Sequence, residues 1–321
     1  MLLGGHVSIA GGFALAPERA DAIGANCLQM FSGSPRGWNL PRVTEADAAA
    51  YKEAAKKHGI EAAYFHASYL VNLADDGFIG DRSVDTLIAE LKVASALGVR
   101  GSIIHLGSFK DAAHEEKQSS KLEALRKKKN PSPPDTAVLP FTKGESQTIE
   151  RDSLPAYEKH PKYDLLIRNI KTVLKNAPKD ALFIIEGMGT RKIGRQIQEI
   201  GNIVRDIQDQ RVRVCLDTCH MHVAGYDLST KKKLDEFFAL FDKEIGLSSL
   251  ECIHMNDSRD EFGSLRDRHE NIGQGKVAKD VFKLLLNHPK TKHLAFLLEV
   301  PGFDDAGPDK KNIDILKSFI A

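Results

Sequence analysis

A (β/α)8 barrel, a closed parallel sheet ringed by helices, is the fold class this sequence predicts. Short apolar runs bounded by polar or glycine residues alternate with longer helical patterns about eight times along the 321 residues. That alternation is the signature of repeated βα units. No GxGxxG follows the first run, so an open doubly wound sheet lacks its usual phosphate-binding turn. The third observation is chemical: imidazole or carboxylate side chains stand at the ends of nearly all the strand-like runs, the place where a barrel of this class gathers its chemistry.

In chain order the predicted strands are LLGGHVSI (2–9), NCLQMFS (26–32), AAYFHAS (62–68), GSIIHLG (101–107), ALFIIEG (181–187), VRVCLDT (212–218), LECIHMN (250–256) and HLAFLLEV (293–300). Nearly all are apolar throughout, as strands covered on both faces should be. Helical patterns fill the intervals, from PERADAIGA after the first strand to KNIDILKSFIA at the end. Thr44, Ser83 and Thr230 are placed as helix N-caps, and Gly59, Gly98 and Gly246 just past helix ends.

One interval breaks the period. Between His105 and Glu186 the chain spends far more residues than one helix needs. Residues of about 108–162 are polar with a proline-rich middle, and read as a partly disordered insertion after strand 4 in a single domain spanning 1–321. Its RKKKN run reads as solvated loop charge, with contact to a phosphate backbone as the alternative.

The net charge is +1, so the chain as a whole carries no electrostatic footprint for nucleic acid, and a polyanion would have to be held by local features. MLLGGHVSIAGG is too short and glycine-broken for a signal peptide, and no apolar run approaches a membrane span. A soluble intracellular monomer with no membrane partner is expected. Cys27, Cys215, Cys219 and Cys252 lie in or beside apolar runs and read as buried reduced thiols, not as a zinc knuckle or disulfide framework.

At the strand ends stand His6, His66, His105, Glu186, Asp217 with His220 three residues on, His254 and Glu299, and the loop after strand 7 adds Asp267 and His269. A single histidine at such a place is usually a packed or surface residue. So many ionisable groups around one rim are different, because desolvated charges without compensating cations are costly. Mixed imidazole and carboxylate donors suit Zn²⁺, Mn²⁺ or Fe²⁺ in a catalytic role. Five histidines and four carboxylates exceed the needs of one ion; two or three ions with a bridging carboxylate would use them all, as in multinuclear sites for phosphoryl transfer or hydrolysis.

The segments GGHVSIAGG, HASYLVNLA, IIHLGS, LDTCHMHVAGYD, IHMNDSRDEFGSLRDRHENIGQG and LLEVPG together resemble endonuclease IV, the zinc-dependent apurinic/apyrimidinic endonuclease family built on a (β/α)8 barrel. The likeness covers essentially the whole chain outside the insertion. It implies a trinuclear zinc centre, with Mn²⁺ as an alternative at one site. His66, His105 and Glu186 would hold the first ion, Glu186, Asp217, His254 and Glu299 the second, and His220, Asp267 and His269 the third. It also implies hydrolysis of the phosphodiester 5′ to an abasic deoxyribose in double-stranded DNA, with Glu186 as the catalytic carboxylate, and repair of blocked 3′ ends. Arg36, Tyr69 and Leu70 match the family's DNA-contacting loops, where an aromatic or apolar wedge fills the gap left by a flipped-out sugar.

Two departures stand out. Glu186-Gly187-Met188-Gly189 replaces the family's asparagine and alanine-glycine turn, which puts the support of the bridging carboxylate in question, and Leu106 follows His105 where proline is common. Other groups read more simply: His222 as no ligand, His58, His288 and His293 as surface groups, and Lys231 to Lys233 as a solvated face. His6 is left between a supporting role, a phosphate contact and packing, while Arg259, Arg266 and Arg268 are candidates for phosphate contact. The competing functions are a metal-dependent sugar isomerase or epimerase on a similar barrel, and an abasic-site binding protein without catalysis.

Overall fold

The computed structural model describes residues 1–109 and 160–321. Eight strands close the barrel: β1 (Leu2–His6), β2 (Cys27–Phe31), β3 (Ala62–His66), β4 (Gly101–Ile104), β5 (Leu182–Glu186), β6 (Val212–Asp217), β7 (Leu250–His254) and β8 (Ala295–Leu298). Each pairs in parallel with its neighbours in chain order, and β8 closes on β1. The predicted strands all form, each ending one to three residues before its sequence-based limit. Around them lie α1 (Ala16–Ala22), α2 (Glu45–Lys57), α3 (Phe78–Leu97), α4 (Tyr163–Asn176), α5 (Ile197–Ile207), a short α6 (Thr218–Ala224), α7 (Lys231–Glu244), α8 (Lys279–Asn287) and α9 (Lys310–Lys317). The expected insertion falls between Ile104 and Tyr163, and all but its first and last residues lie outside the described ones. No helix among the described residues is long and apolar enough to cross a membrane.

Local signals explain most helix boundaries. Thr44 caps α2 through a reciprocal box with Asp47, Thr230 caps α7, and Gly98 ends α3 in the left-handed region. Ser83 is a correction. The helix begins at Phe78 with Gly77 as N-cap, which leaves Ser83 buried inside it. Its hydroxyl donates to the Ile79 carbonyl at 2.6 Å and accepts the Asn72 N–H at 2.9 Å, so it pins the β3–α3 loop instead of starting the helix.

Alternation along the strands builds the site. Inside the barrel Tyr64, Ile103, Ile184, Cys215, Cys252 and Leu297 pack together, and two residues further on, at or just past the ends of the same strands, come His66, His105, Glu186, Asp217, His254 and Glu299. A side-chain period of two therefore lifts each polar group from the apolar plug to the mouth. Strand β7 keeps its place in this ring by a register shift against β6. Val214 pairs with Leu250 but Cys215 with Cys252, so that Asp217 comes level with His254. Without that extra residue His254 would point away from Asp217, since a slip of one residue reverses the face.

Candidate metal centre

The nine predicted ligands converge at the C-terminal mouth. Within the described residues their donor atoms form three sets able to hold an ion: His66, His105 and Glu186; Glu186, Asp217, His254 and Glu299; and His220, Asp267 and His269. Donor atoms of each set lie within 4.8 Å of one another. Glu186 belongs to two of them. Its Oε2 faces His105 Nε2 at 2.7 Å and His66 Nε2 at 3.3 Å, while Oε1 faces His254 Nδ1 and His220 Nδ1, both at 3.2 Å. A further set of Asp217, Cys219 and His269 overlaps the third and was not foreseen.

Most of these rings are oriented from behind. His66 donates Nδ1–H to the Ala67 carbonyl at 2.8 Å, His220 to Gly187 O at 2.8 Å, and His269 to Glu299 O at 3.3 Å. A carbonyl can only accept, so each contact places a proton on Nδ1 and turns Nε2 inward. His220 Nε2 and His269 Nε2 are buried and make no hydrogen bond, although they lie 3.0 and 3.3 Å from Asp267 oxygens. Two buried nitrogens beside one carboxylate, aligned for no hydrogen bond, form a donor set that fits a cation.

Charge is shared across the whole cluster. Burial works against ionising Glu186, but His105 and His254 outweigh it and hold the carboxyl well below its ordinary range. Glu299 is likewise depressed, by His254 and His66 against its own burial. His254 and His220 are raised well above theirs despite burial, through Glu299 and Glu186 in one case and Asp217 and Asp267 in the other. Asp267 and Asp217 similarly overcome the burial of His269 and lift it to about 9. His6 goes the other way, to about 4, because burial exceeds the pull of Glu299.

Several supports were not evident from sequence. Asn256 donates Nδ2–H to Asp217 Oδ2 at 2.6 Å and accepts the Glu299 N–H at 2.7 Å, bracing two of the predicted ligands at once. Asp217 Oδ1 meanwhile accepts the His220 N–H at 2.9 Å and so caps α6. The Gly187-Met188-Gly189 turn touches His220 through its backbone. Support for His220 comes from the Gly187 backbone carbonyl, and a Cβ at Gly189 would lie 2.8 Å from His220 Cα and 2.5 Å from Val223 Cγ2. Only glycine lets this turn meet the helix that carries His220.

Around the mouth, Tyr69 is 60% exposed, with its ring edge-on to Phe31 at 5.5 Å and tilted against His66 at 5.8 Å. Leu70 is half-buried beside it, and Arg36 is exposed with no carboxylate partner among the described residues. Arg268 grips Asp260 through two bonds of 2.7 Å, Arg266 lies 3.5 Å from the same carboxylate, and Arg259 pairs with Glu270 at 3.1 Å. His222 contacts the Asp260 carbonyl at 3.2 Å and joins none of the donor sets. His58 and His288 pair with Asp21 and Asp235, well away from the cluster. All four cysteines are free and buried.

Residues 17–128 and 144–319 match the family model described as the xylose isomerase-like TIM barrel. The chain is 33% identical over 322 residues to the probable endonuclease 4 of Thermosipho africanus, covering 98% of this chain and 97% of that protein. Against the probable endonuclease 4 of Halothermothrix orenii it is 33% identical over 99% of each. Among solved structures, endonuclease IV from Thermus thermophilus superposes with a TM-score of 0.75 at 25% identity, over 99% of this chain and 98% of that one. D-psicose 3-epimerase from Clostridium cellulolyticum reaches 0.61 at 16% identity, over 98% and 90%, a likeness of fold alone.

Proposed function

This chain belongs to the endonuclease IV family and is an apurinic/apyrimidinic endonuclease, and from that premise we propose that it hydrolyses the phosphodiester 5′ to an abasic site in double-stranded DNA. The products are a 3′-hydroxyl and a 5′-deoxyribose phosphate, within base excision repair, and blocked 3′ ends are a second substrate. The observation that carries this reading is the sharing of Glu186 between two of the three predicted donor sets at the barrel mouth.

Three zinc ions are assigned to the three sets, with Mn²⁺ an alternative at one of them. When bound, they supply Lewis acidity that makes water acidic near neutral pH and shares the negative charge of phosphate oxygens. Glu186, held ionised by its imidazole neighbours, takes the proton of the attacking water at its carboxylate. Glu186, Asp217 and His254 are fully buried, which strengthens charge interactions at the floor of the site. Tyr69 and Leu70 fill the gap opened when the abasic sugar leaves the stack, and the exposed guanidinium of Arg36 meets the backbone. The missing base makes that extrusion less costly than for an intact nucleotide. The enzyme acts as a monomer in this scheme.

A sugar isomerase or epimerase has only the fold in its favour. Such a reaction gives no role to His220, Asp267 and His269 as a further set. The deciding experiment is nicking of an abasic duplex by Glu186→Gln in saturating zinc, with metal content measured on the same protein. Strong loss of incision supports the assignment; wild-type incision by the variant, or incision that survives complete chelation, would overturn it.

A further inference from the structure

Seven of the nine ligands stand on or just past β3 to β8, and two on the loop after β7; β1 and β2 contribute none. Yet β2 places a fully buried amide, Gln29, directly behind the second set. Gln29 Oε1 lies 2.7 Å from His254 Nε2, and Gln29 Nε2 contacts both a Glu299 oxygen, Oε1, and His6 Nδ1, the latter at 3.0 Å. We propose that Gln29 is a positioning residue that fixes His254 as its Nε2–H tautomer and thereby presents His254 Nδ1, together with Glu299 Oε2, to the second ion.

The direction of the amide follows from chemistry. Turned over, it would set its carbonyl oxygen against the Glu299 carboxylate, acceptor against acceptor, and its NH₂ against His254 Nε2. The contact with Glu299 therefore decides which end of Gln29 meets His254. With oxygen facing Nε2, that nitrogen must be the donor, and the lone pair of the neutral ring is left on Nδ1. Nδ1 is the atom that lies 3.2 Å from Glu186 Oε1 and 3.2 Å from Glu299 Oε2. One side chain thus sets the tautomer of one ligand and occupies the spare oxygen of another. Groups in this position behind a metal ligand commonly control its affinity.

This inference rests on the assignment of His254 and Glu299 to an ion, and its test separates the two claims. Zinc stoichiometry and affinity are measured by competition with a chromophoric chelator for the wild type and for Gln29→Met, which keeps the volume and loses the hydrogen bonds. The wild type should hold three ions. In Gln29→Met one of them should be weakened by about 10–100-fold, with the other two unchanged. A wild type that takes up no zinc defeats the site assignment itself; a variant with three ions at wild-type affinity defeats the role of Gln29 alone. Long-range ¹H–¹⁵N spectra of the zinc-loaded wild type need no variant to fold: His254 should show its proton on Nε2, and a proton on Nδ1 would overturn the proposal.

Discussion

Asp257 Oδ2 accepts the backbone N–H of Gly275 at 3.0 Å, closing the neck of the loop that carries Asp267 and His269. The same carboxylate accepts Gly273 N–H at 2.9 Å, Val277 N–H at 2.9 Å and Ser258 N–H at 2.8 Å. A Cβ at Gly275 would meet Ser258 O at 2.3 Å and Asp257 Oδ1 at 2.5 Å, so the approach needs glycine. Asp257→Ala should strand these backbone donors and destabilise the protein by about 3 kcal/mol. Thermal unfolding measures that loss. Zinc titration of the variant should show weakening at the His220, Asp267 and His269 set before the other two.

The barrel was legible because it depends on a local pattern, apolar strands that end in a polar group, which sets His66, His105, Glu186, Asp217, His254 and Glu299 on one rim; His220, Asp267 and His269 lie on the helix and loop beyond, and their grouping came from the family resemblance. What escaped the sequence depends on distant partners. Gln29 reads as an ordinary polar residue within β2, and its meaning comes from His254 and Glu299, 225 and 270 residues further on. Asn256 and Asp257 sat inside a motif already singled out, but their neighbours could not be read from spacing. Ser83 misled for a related reason. A serine before a periodic run resembles a cap, and only the packing of Asn72 against it reveals an interior residue.

Tyr69 is predicted to discriminate damage from intact duplex. Its ring is supported below by Phe31 and His66 and is exposed above, which suits a rigid wedge. Tyr69→Ala should weaken binding to an abasic duplex by about tenfold or more, the scale of one lost aromatic stack, and leave intact duplex binding nearly unchanged. Anisotropy titrations with both duplexes make the comparison. Equal loss on the two would remove the wedge role.

Arg36 and Arg268 should differ in the salt dependence of DNA binding. Arg36 has its guanidinium free among the described residues, whereas Arg268 is held by both oxygens of Asp260. Arg36→Ala is expected to lower the slope of log K against log salt by about one, as for one lost phosphate contact. Arg268→Ala should change the slope much less. Binding isotherms between low and moderate salt measure both, and the reverse order would reassign the phosphate contact.

At the far end of the barrel, Arg211 ties the end of α4 to β6. It donates to the carbonyls of Leu174 at 2.8 Å and Pro178 at 3.1 Å, and to Asp209 Oδ2 at 2.6 Å. Arg211→Leu should cost about 2–4 kcal/mol at pH 7 by leaving those acceptors unpaired. Arg211 holds the Asp209 carboxyl below its ordinary value. The pair's share is therefore present above the unfolded carboxyl range, near pH 4, and is lost as pH falls through the lower folded value. The gap between wild type and variant should narrow below pH 4, measured by denaturant titration in chelator so that metal loss does not contribute.

Sharing of one carboxylate predicts a pattern of metal loss that independent sites would not give. His269 donates only to the third of the assigned sets, so His269→Ala should remove or weaken one ion and spare two. Glu186 belongs to the first and second, so Glu186→Ala should weaken both while the third persists. Its two oxygens face different histidines, His66 and His105 on one side and His254 and His220 on the other, so a variant without either oxygen strips an acceptor from both sides. Elemental analysis of zinc per chain after dialysis distinguishes the cases. One ion lost in each variant would mean that Glu186 serves a single site, and the bridging arrangement would fall.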